Sequence, residues 1–167
     1  MYRIRQFFRH VFAHYSPDDA AFTQSILTQE EFQLFQRLPV FEKRHAVDVA
    51  QYLAKFRTDI PAKEFQSLRK AGLLHDIGKV GLPLNPFEKS IFVLLRLFLP
   101  KLVLWMARSG KFPKSRIFLF HNEMGAELLE KIGTEKAVVQ LIAEYKPGVA
   151  TQSKLASALE EADEHIA

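Results

Sequence analysis

An apolar run, Ala71-Gly72-Leu73-Leu74, leads without a break into His75-Asp76-Ile77-Gly78-Lys79. That order places an imidazole and a carboxylate where a core helix meets the interior, and buried ionisable groups need partners or a metal ion. The chain must therefore fold so that other elements bring compensating groups to this point. An upstream His45 and a distant Asp163 complete a set of two nitrogen and two oxygen donors for one divalent cation. Adjacent residues on a helix point roughly 100° apart, so the pair converges on one ion only near a helix end. Gly78 is expected to loosen the backbone there, with His45 and Asp163 approaching from other helices. Without the apolar run, the dipeptide would read as an ordinary helix C-terminus with a solvated Asp76.

Nearly every segment around this pair reads as helix. Ser16-Pro17-Asp18-Asp19 combines a capping residue, a proline at the first helical position and acids in the first turn. Thr28-Gln29-Glu30-Glu31 is a capping box for a helix with Phe32, Phe35 and Leu38 on one side. The helix of His45 has Ala46, Val49, Ala50, Leu53 and Phe56 at the spacing of a buried stripe. Pro61 opens the helix that runs into His75-Asp76. Helices are predicted over 122–132, stopped by Gly133, over 134–145, and over 153–166, where Asp163 sits among Leu155, Ala156, Leu159 and Ala162. No alternating strand pattern of useful length appears, so the predicted fold is all-α.

A length of 167 residues with 48% hydrophobic content suits one domain with one core. We divide it into an N-terminal helical extension over 1–27, the main body, and an insertion over 89–116. With no cysteine, disulfides and thiolate zinc sites are excluded, which fits a cytoplasmic protein. The first fourteen residues mix Arg3, Arg5 and Arg9 with Phe7, Phe8, Val11 and Phe12 and lack the pattern of a signal peptide. They read as a short basic amphipathic helix, docked on the domain or serving as a membrane-surface or partner-binding arm.

The order His45, His75-Asp76, Asp163 resembles the HD-domain superfamily of metal-dependent phosphohydrolases, and Ile77-Gly78-Lys79 resembles its HDIG branch. Arg44-His45 opening a helix, His121 before Gly125-Ala126-Glu127-Leu128-Leu129, and Ala162-Asp163 fit the same pattern over residues 28 to 166. The resemblance implies an HD-domain helical bundle in which His45, His75, Asp76 and Asp163 ligate the metal. Two-metal relatives carry a His-His pair after an apolar stretch. Here Leu141-Ile142-Ala143 is followed by Glu144-Tyr145-Lys146. A single divalent ion is therefore expected, with His121 and Glu144 the candidates for any second one. The motif that marks cyclic-di-GMP hydrolysis is also missing after Lys146-Pro147-Gly148.

The charge is unevenly placed. Residues 89–122 hold seven Lys or Arg and no Asp or Glu, so a chain of net charge +4 leaves −3 for the remainder. A specific nucleic-acid binder would spread its charge more widely. Ile91–Leu99 and Leu102–Ala107, separated by Pro100-Lys101, are each short of the ~20 apolar residues that span a bilayer. The segment is expected to form two helices joined near Pro100, an inserted basic, apolar hairpin. Its apolar faces are to be covered by the domain or, as a homodimer interface, by a second copy; a membrane-surface contact is the less favoured alternative.

The expected chemistry is attack of a metal-activated water on a small phosphorylated substrate, a nucleotide by preference. Lys79, nearly one helical turn after Asp76, is expected to point back and hold a phosphate oxygen. His121 is the acid–base candidate by intrinsic pKa, Glu123 and Glu144 are weaker ones, and Arg44 either clamps phosphate or forms a surface salt bridge. The rival is a degenerate HD module that keeps its metal, binds a nucleotide or a protein, and catalyses nothing.

Overall fold

A computed structural model describes residues 13–82, 84–145 and 153–166. The elements are α1 (Pro17–Gln24), α2 (Gln29–Gln36), α3 (Val40–Tyr52), α4 (Ala62–Leu74), α5 (Pro86–Phe98), α6 (Pro100–Arg108), α7 (Pro113–Lys131), α8 (Lys136–Glu144) and α9 (Lys154–Ile166). Short 3-10 turns follow α3 at Leu53–Phe56 and α4 at Ile77–Lys79. Among the described residues there is no strand. The basic segment expected over 1–14 lies almost entirely outside them, as does 146–152.

The predicted starts of α1 and α2 are built as capping boxes. Ser16 Oγ accepts from the Asp19 N–H at 3.1 Å while the Ser16 N–H donates to Asp19 Oδ2 at 2.9 Å. Thr28 and Glu31 repeat the exchange, which satisfies N–H groups that the first helical turn leaves open. Glu31 is itself buried and takes Lys70 at 3.0 Å from α4.

The core lies where α3 and α4 cross, roofed by α8 and α9. Val47, Val49 and Ala50 of α3, Leu68, Leu73 and Leu74 of α4, Ile142 of α8 and Leu159 of α9 are all fully buried. This is the apolar-run reading realised: α4 is buried through its last turn, so the residues that follow it emerge inside the protein.

The Ile77–Lys79 turn then packs against the middle of α7. A Cβ added at Gly78 would lie 1.8 Å from the His121 carbonyl oxygen and 2.8 Å from the Gly125 nitrogen, and one added at Gly125 would lie 3.1 Å from the Gly78 nitrogen. Gly78 is not among the glycines with positive φ. The expectation of a loosened backbone is corrected here: Gly78 serves close approach, because only a residue without a side chain lets the turn touch α7. At this contact α7 bends at Phe120, whose φ of −126° and ψ of 19° leave the helical region. The second half of α7 matches the helix predicted over 122–132.

Residues 89–122 depart further from expectation. Two helices do meet at Leu99-Pro100, with a change of direction of 120°, but a third begins at Pro113 within the same stretch. Val103 and Ala107 bury one side of α6 against α7, and Phe92 stacks on Phe118 at 5.3 Å. The opposite side is uncovered: Phe87, Leu97 and Phe98 are 75%, 71% and 72% exposed. Among the described residues, only the Val103–Ala107 side of the hairpin is covered, and its outer apolar face is not. No single helix among the described residues is long and apolar enough to cross a membrane.

Candidate metal centre

Helix α4 ends at Leu74, and this end resolves how two neighbouring side chains meet. His75 keeps helical angles, whereas Asp76, at φ −96° and ψ 8°, lies in the bridge region and starts the 3-10 turn. Their side chains therefore escape the ~100° separation of a regular helix, and His75 Nε2 stands 3.4 Å from Asp76 Oδ2. From α9, Asp163 Oδ1 reaches within 3.8 Å of the same nitrogen and 2.9 Å of His45 Nε2 on α3. One donor atom from each of His45, His75 and Asp76 fits within 4.8 Å of the others.

The structure tests whether this cluster suits a cation. His75 Nδ1–H donates to the Gly72 carbonyl at 2.9 Å, which leaves Nε2 as the ring nitrogen that faces the cluster. That nitrogen is buried and has no hydrogen-bond partner. An unpartnered acceptor facing two carboxylates is unfavourable by itself and is satisfied by a positive ion among them. Ligands bonded at ~2.1 Å to one ion lie ~3 Å apart, close to the separations seen. The donor set fits a divalent metal.

The electrostatics agree. Burial opposes ionisation of Asp76, but Lys79 first and then His75, His121 and His45 hold its carboxyl well below the usual range. For Asp163, burial is likewise outweighed by the His45 hydrogen bond and the two imidazoles. Burial also disfavours the charged form of His45, yet the Asp163 bond and charge raise its pKa. Metal loading at this nitrogen would therefore release a proton.

Lys79 does point back, as expected. Its Nζ sits 2.5 Å from Asp76 Oδ2 and 3.3 Å from Glu42 Oε1. Burial would discharge it, but Asp76 and Glu42 keep its pKa above that of a free lysine. His121 Nε2 is 3.5 Å from Asp76 Oδ1, and its Nδ1–H donates to Ile117 O at 3.0 Å. Burial, reinforced by the Lys79 ammonium, pushes His121 down to about 4. At neutral pH this is therefore an uncharged imidazole whose Nε2 is an acceptor, the form a general base requires. Arg44 is engaged elsewhere, bound to Asp19 Oδ1 at 2.6 Å and to Asp48. These ion pairs are the salt-bridge alternative of its two expected roles. Glu144 is exposed on α8.

Two residues of the site were not singled out from sequence. Glu42 lies one helical turn before His45 and is buried against Lys79; its 3-residue spacing from His45 was the available signal. Tyr145, at the end of α8, stands next to the metal cluster in the stretch where two-metal relatives carry a histidine pair. Its hydroxyl donates to Asp163 Oδ2, its ring meets His75 edge-on at 5.9 Å, and its carbonyl accepts from Asn122 Nδ2. Burial, then the Asp163 charge, raise the phenol pKa, so it remains a donor. Tyr145→Phe keeps the ring but removes the bond that orients Asp163. Metal affinity is expected to fall about tenfold, the usual scale for groups that hold a ligand in place, measured by competition with a chromogenic chelator. Unchanged affinity would mean that Asp163 needs no orienting partner.

The HD-domain family model matches residues 43–165, which runs from the start of α3 to the end of α9 and includes all four candidate ligands. No curated protein and no solved structure is significantly similar to the chain. HD domains bind divalent metals through histidine and aspartate side chains such as those gathered here, and the chain belongs to the HD-domain family, a superfamily of metal-dependent phosphohydrolases.

Proposed function

We propose that this protein is a cytoplasmic phosphohydrolase that acts on a small phosphate ester of the nucleotide class with one divalent ion held by His45, His75, Asp76 and Asp163. The observation that carries this reading is the buried, unpartnered Nε2 of His75 facing Asp76 and Asp163. His45, His75, Asp76 and Asp163 would hold the ion, which when bound would supply Lewis-acid polarisation of a phosphate oxygen and an acidified water. The chain's own groups do the rest. Lys79, permanently charged between Asp76 and Glu42, places a fixed cation beside an incoming phosphate. His121, uncharged, offers an acceptor beside the other oxygen of Asp76, Oδ1. Tyr145 holds Asp163 in the orientation that faces both imidazoles.

A second reading, a metal-holding module without catalysis, is favoured by one observation: where two-metal relatives carry a histidine pair, this chain has an exposed Glu144 and a buried Tyr145. Metal analysis of the purified protein, paired with a phosphate-release screen over nucleotides and simple phosphate esters, separates the two. We expect one ion per chain and release from a nucleotide. Two ions per chain at full occupancy would overturn the single-site assignment and point to His121 and Glu144. A loaded protein that released no phosphate from any substrate would establish the second reading instead.

A further inference from the structure

The hairpin of α5 and α6 is anchored on one side and bare on the other. Val103, Ala107 and Phe92 fix it to α7, so its outer face is a set surface. On α5, Phe87, Ile91, Leu94 and Phe98 recur at helical spacing, and all four are exposed. The sharp turn carries Leu97, Phe98 and Leu99 at its tip, all three exposed among the described residues.

The charges around this face are of one sign. Lys89, Arg96, Lys101 and Arg108 are exposed on the two helices, with Lys111 and Arg116 just beyond, and no acidic residue occurs between 89 and 122. Lys114 is paired with Glu88 at the base of the hairpin. On α6, Trp105 is 57% exposed between Lys101, one turn before it, and Arg108, nearly one turn after. An exposed indole flanked by cations suits the boundary between lipid headgroups and acyl chains, where the ring's apolar body and its N–H are both accommodated.

From these observations we infer that the α5–α6 hairpin is a docking surface for an anionic lipid bilayer, seated at the headgroup boundary with Leu97-Phe98-Leu99 lowest. Charge complementarity chooses this occupant over a second copy of the chain. A two-fold contact through this face would bring like charges together, Lys101 and Arg108 of one copy against those of the other, whereas anionic headgroups neutralise them. The inference rests on the hairpin alone and is independent of the reading of the metal centre.

Trp105 is the sole tryptophan of the chain, so its fluorescence reports this face directly. The full-length, metal-loaded protein is to be mixed with vesicles of phosphatidylcholine alone and of phosphatidylcholine with phosphatidylglycerol, and followed by emission and co-sedimentation. Binding with a blue shift is expected on the anionic vesicles, weakening as salt is raised. Leu97→Glu with Phe98→Glu should abolish it. Lys101→Gln with Arg108→Gln should weaken it by about 30-fold, from ~1 kcal/mol per basic residue at an anionic surface. Both variants alter exposed residues remote from His45, His75, Asp76 and Asp163, and unchanged metal content and far-UV circular dichroism establish that they fold. No binding to either vesicle, or equal binding to both, would overturn the inference. So would sedimentation equilibrium showing a stable dimer that Leu97→Glu with Phe98→Glu converts to monomer.

Discussion

Asp76→Ala should leave the protein with less than about a tenth of its metal and no phosphate release, whereas Lys79→Ala should keep the metal and lose turnover by roughly 100-fold. The two side chains touch, with Nζ 2.5 Å from Oδ2, yet they act on opposite charges. Asp76 supplies an oxygen and the negative field that retains a cation. Lys79 has no lone pair to give and contributes only a positive field, so removing it takes nothing from the ligand set. It does leave two buried carboxylates, Asp76 and Glu42, without their ammonium. The Lys79→Ala protein should therefore depend on its metal for stability, losing on the order of 3 kcal/mol more than wild type on chelation. Metal content, phosphate release and thermal melts with and without chelator check the three parts separately. Equal metal loss in both variants would show that Lys79 shapes the ligand cluster itself, and wild-type hydrolysis in both would place the activity elsewhere.

Gly78→Ala should be the most damaging single methyl in the protein. The new Cβ would lie 1.8 Å from a backbone oxygen of α7, and backbone cannot rotate aside as a side-chain tip can. Either the Ile77–Lys79 turn or α7 must shift, which moves His121 relative to Asp76. We expect a loss of roughly 3 kcal/mol and a Tm lower by roughly 10 °C, the severe end for overpacking, together with weakened metal binding. Gly125→Ala is the control. Its nearest contacts are 3.0 and 3.1 Å, which small adjustments relieve, so its effect should be clearly smaller. A melting temperature for Gly78→Ala within two degrees or so of wild type would mean that the turn and α7 separate freely.

Much of this arrangement was legible in the residues. Capping signals located α1 and α2 because a capping box is a local exchange between residues three apart, which no distant contact has to supply. The apolar run before His75 announced burial because burying Leu73 and Leu74 carries along whatever follows them. The return of Lys79 toward Asp76 followed from its distance along one turn. Other features depend on elements far apart in the chain. Arg44 had equal claims to phosphate and to a carboxylate, and its ion pair with Asp19 depends on where α1 packs, which its own neighbours in sequence do not state. The pKa of His121 is set by a lysine 42 positions earlier in the sequence and by burial, neither of which is a property of His121 itself.

The sequence by itself determined the all-α class, the helix starts, and the types of donor that gather at the end of α4, since these follow from local hydrogen bonding, periodicity and the chemistry of imidazole and carboxylate. Only the tertiary structure decided that Gly78 is a contact point rather than a hinge, that Glu42 and Tyr145 complete the surroundings of the cluster, and that the outer apolar face of the α5–α6 hairpin is exposed among the described residues. The physical reason is common to all three. Hydrophobic and turn signals state that a residue has a preferred environment, whereas which surface supplies that environment depends on packing between segments tens of residues apart.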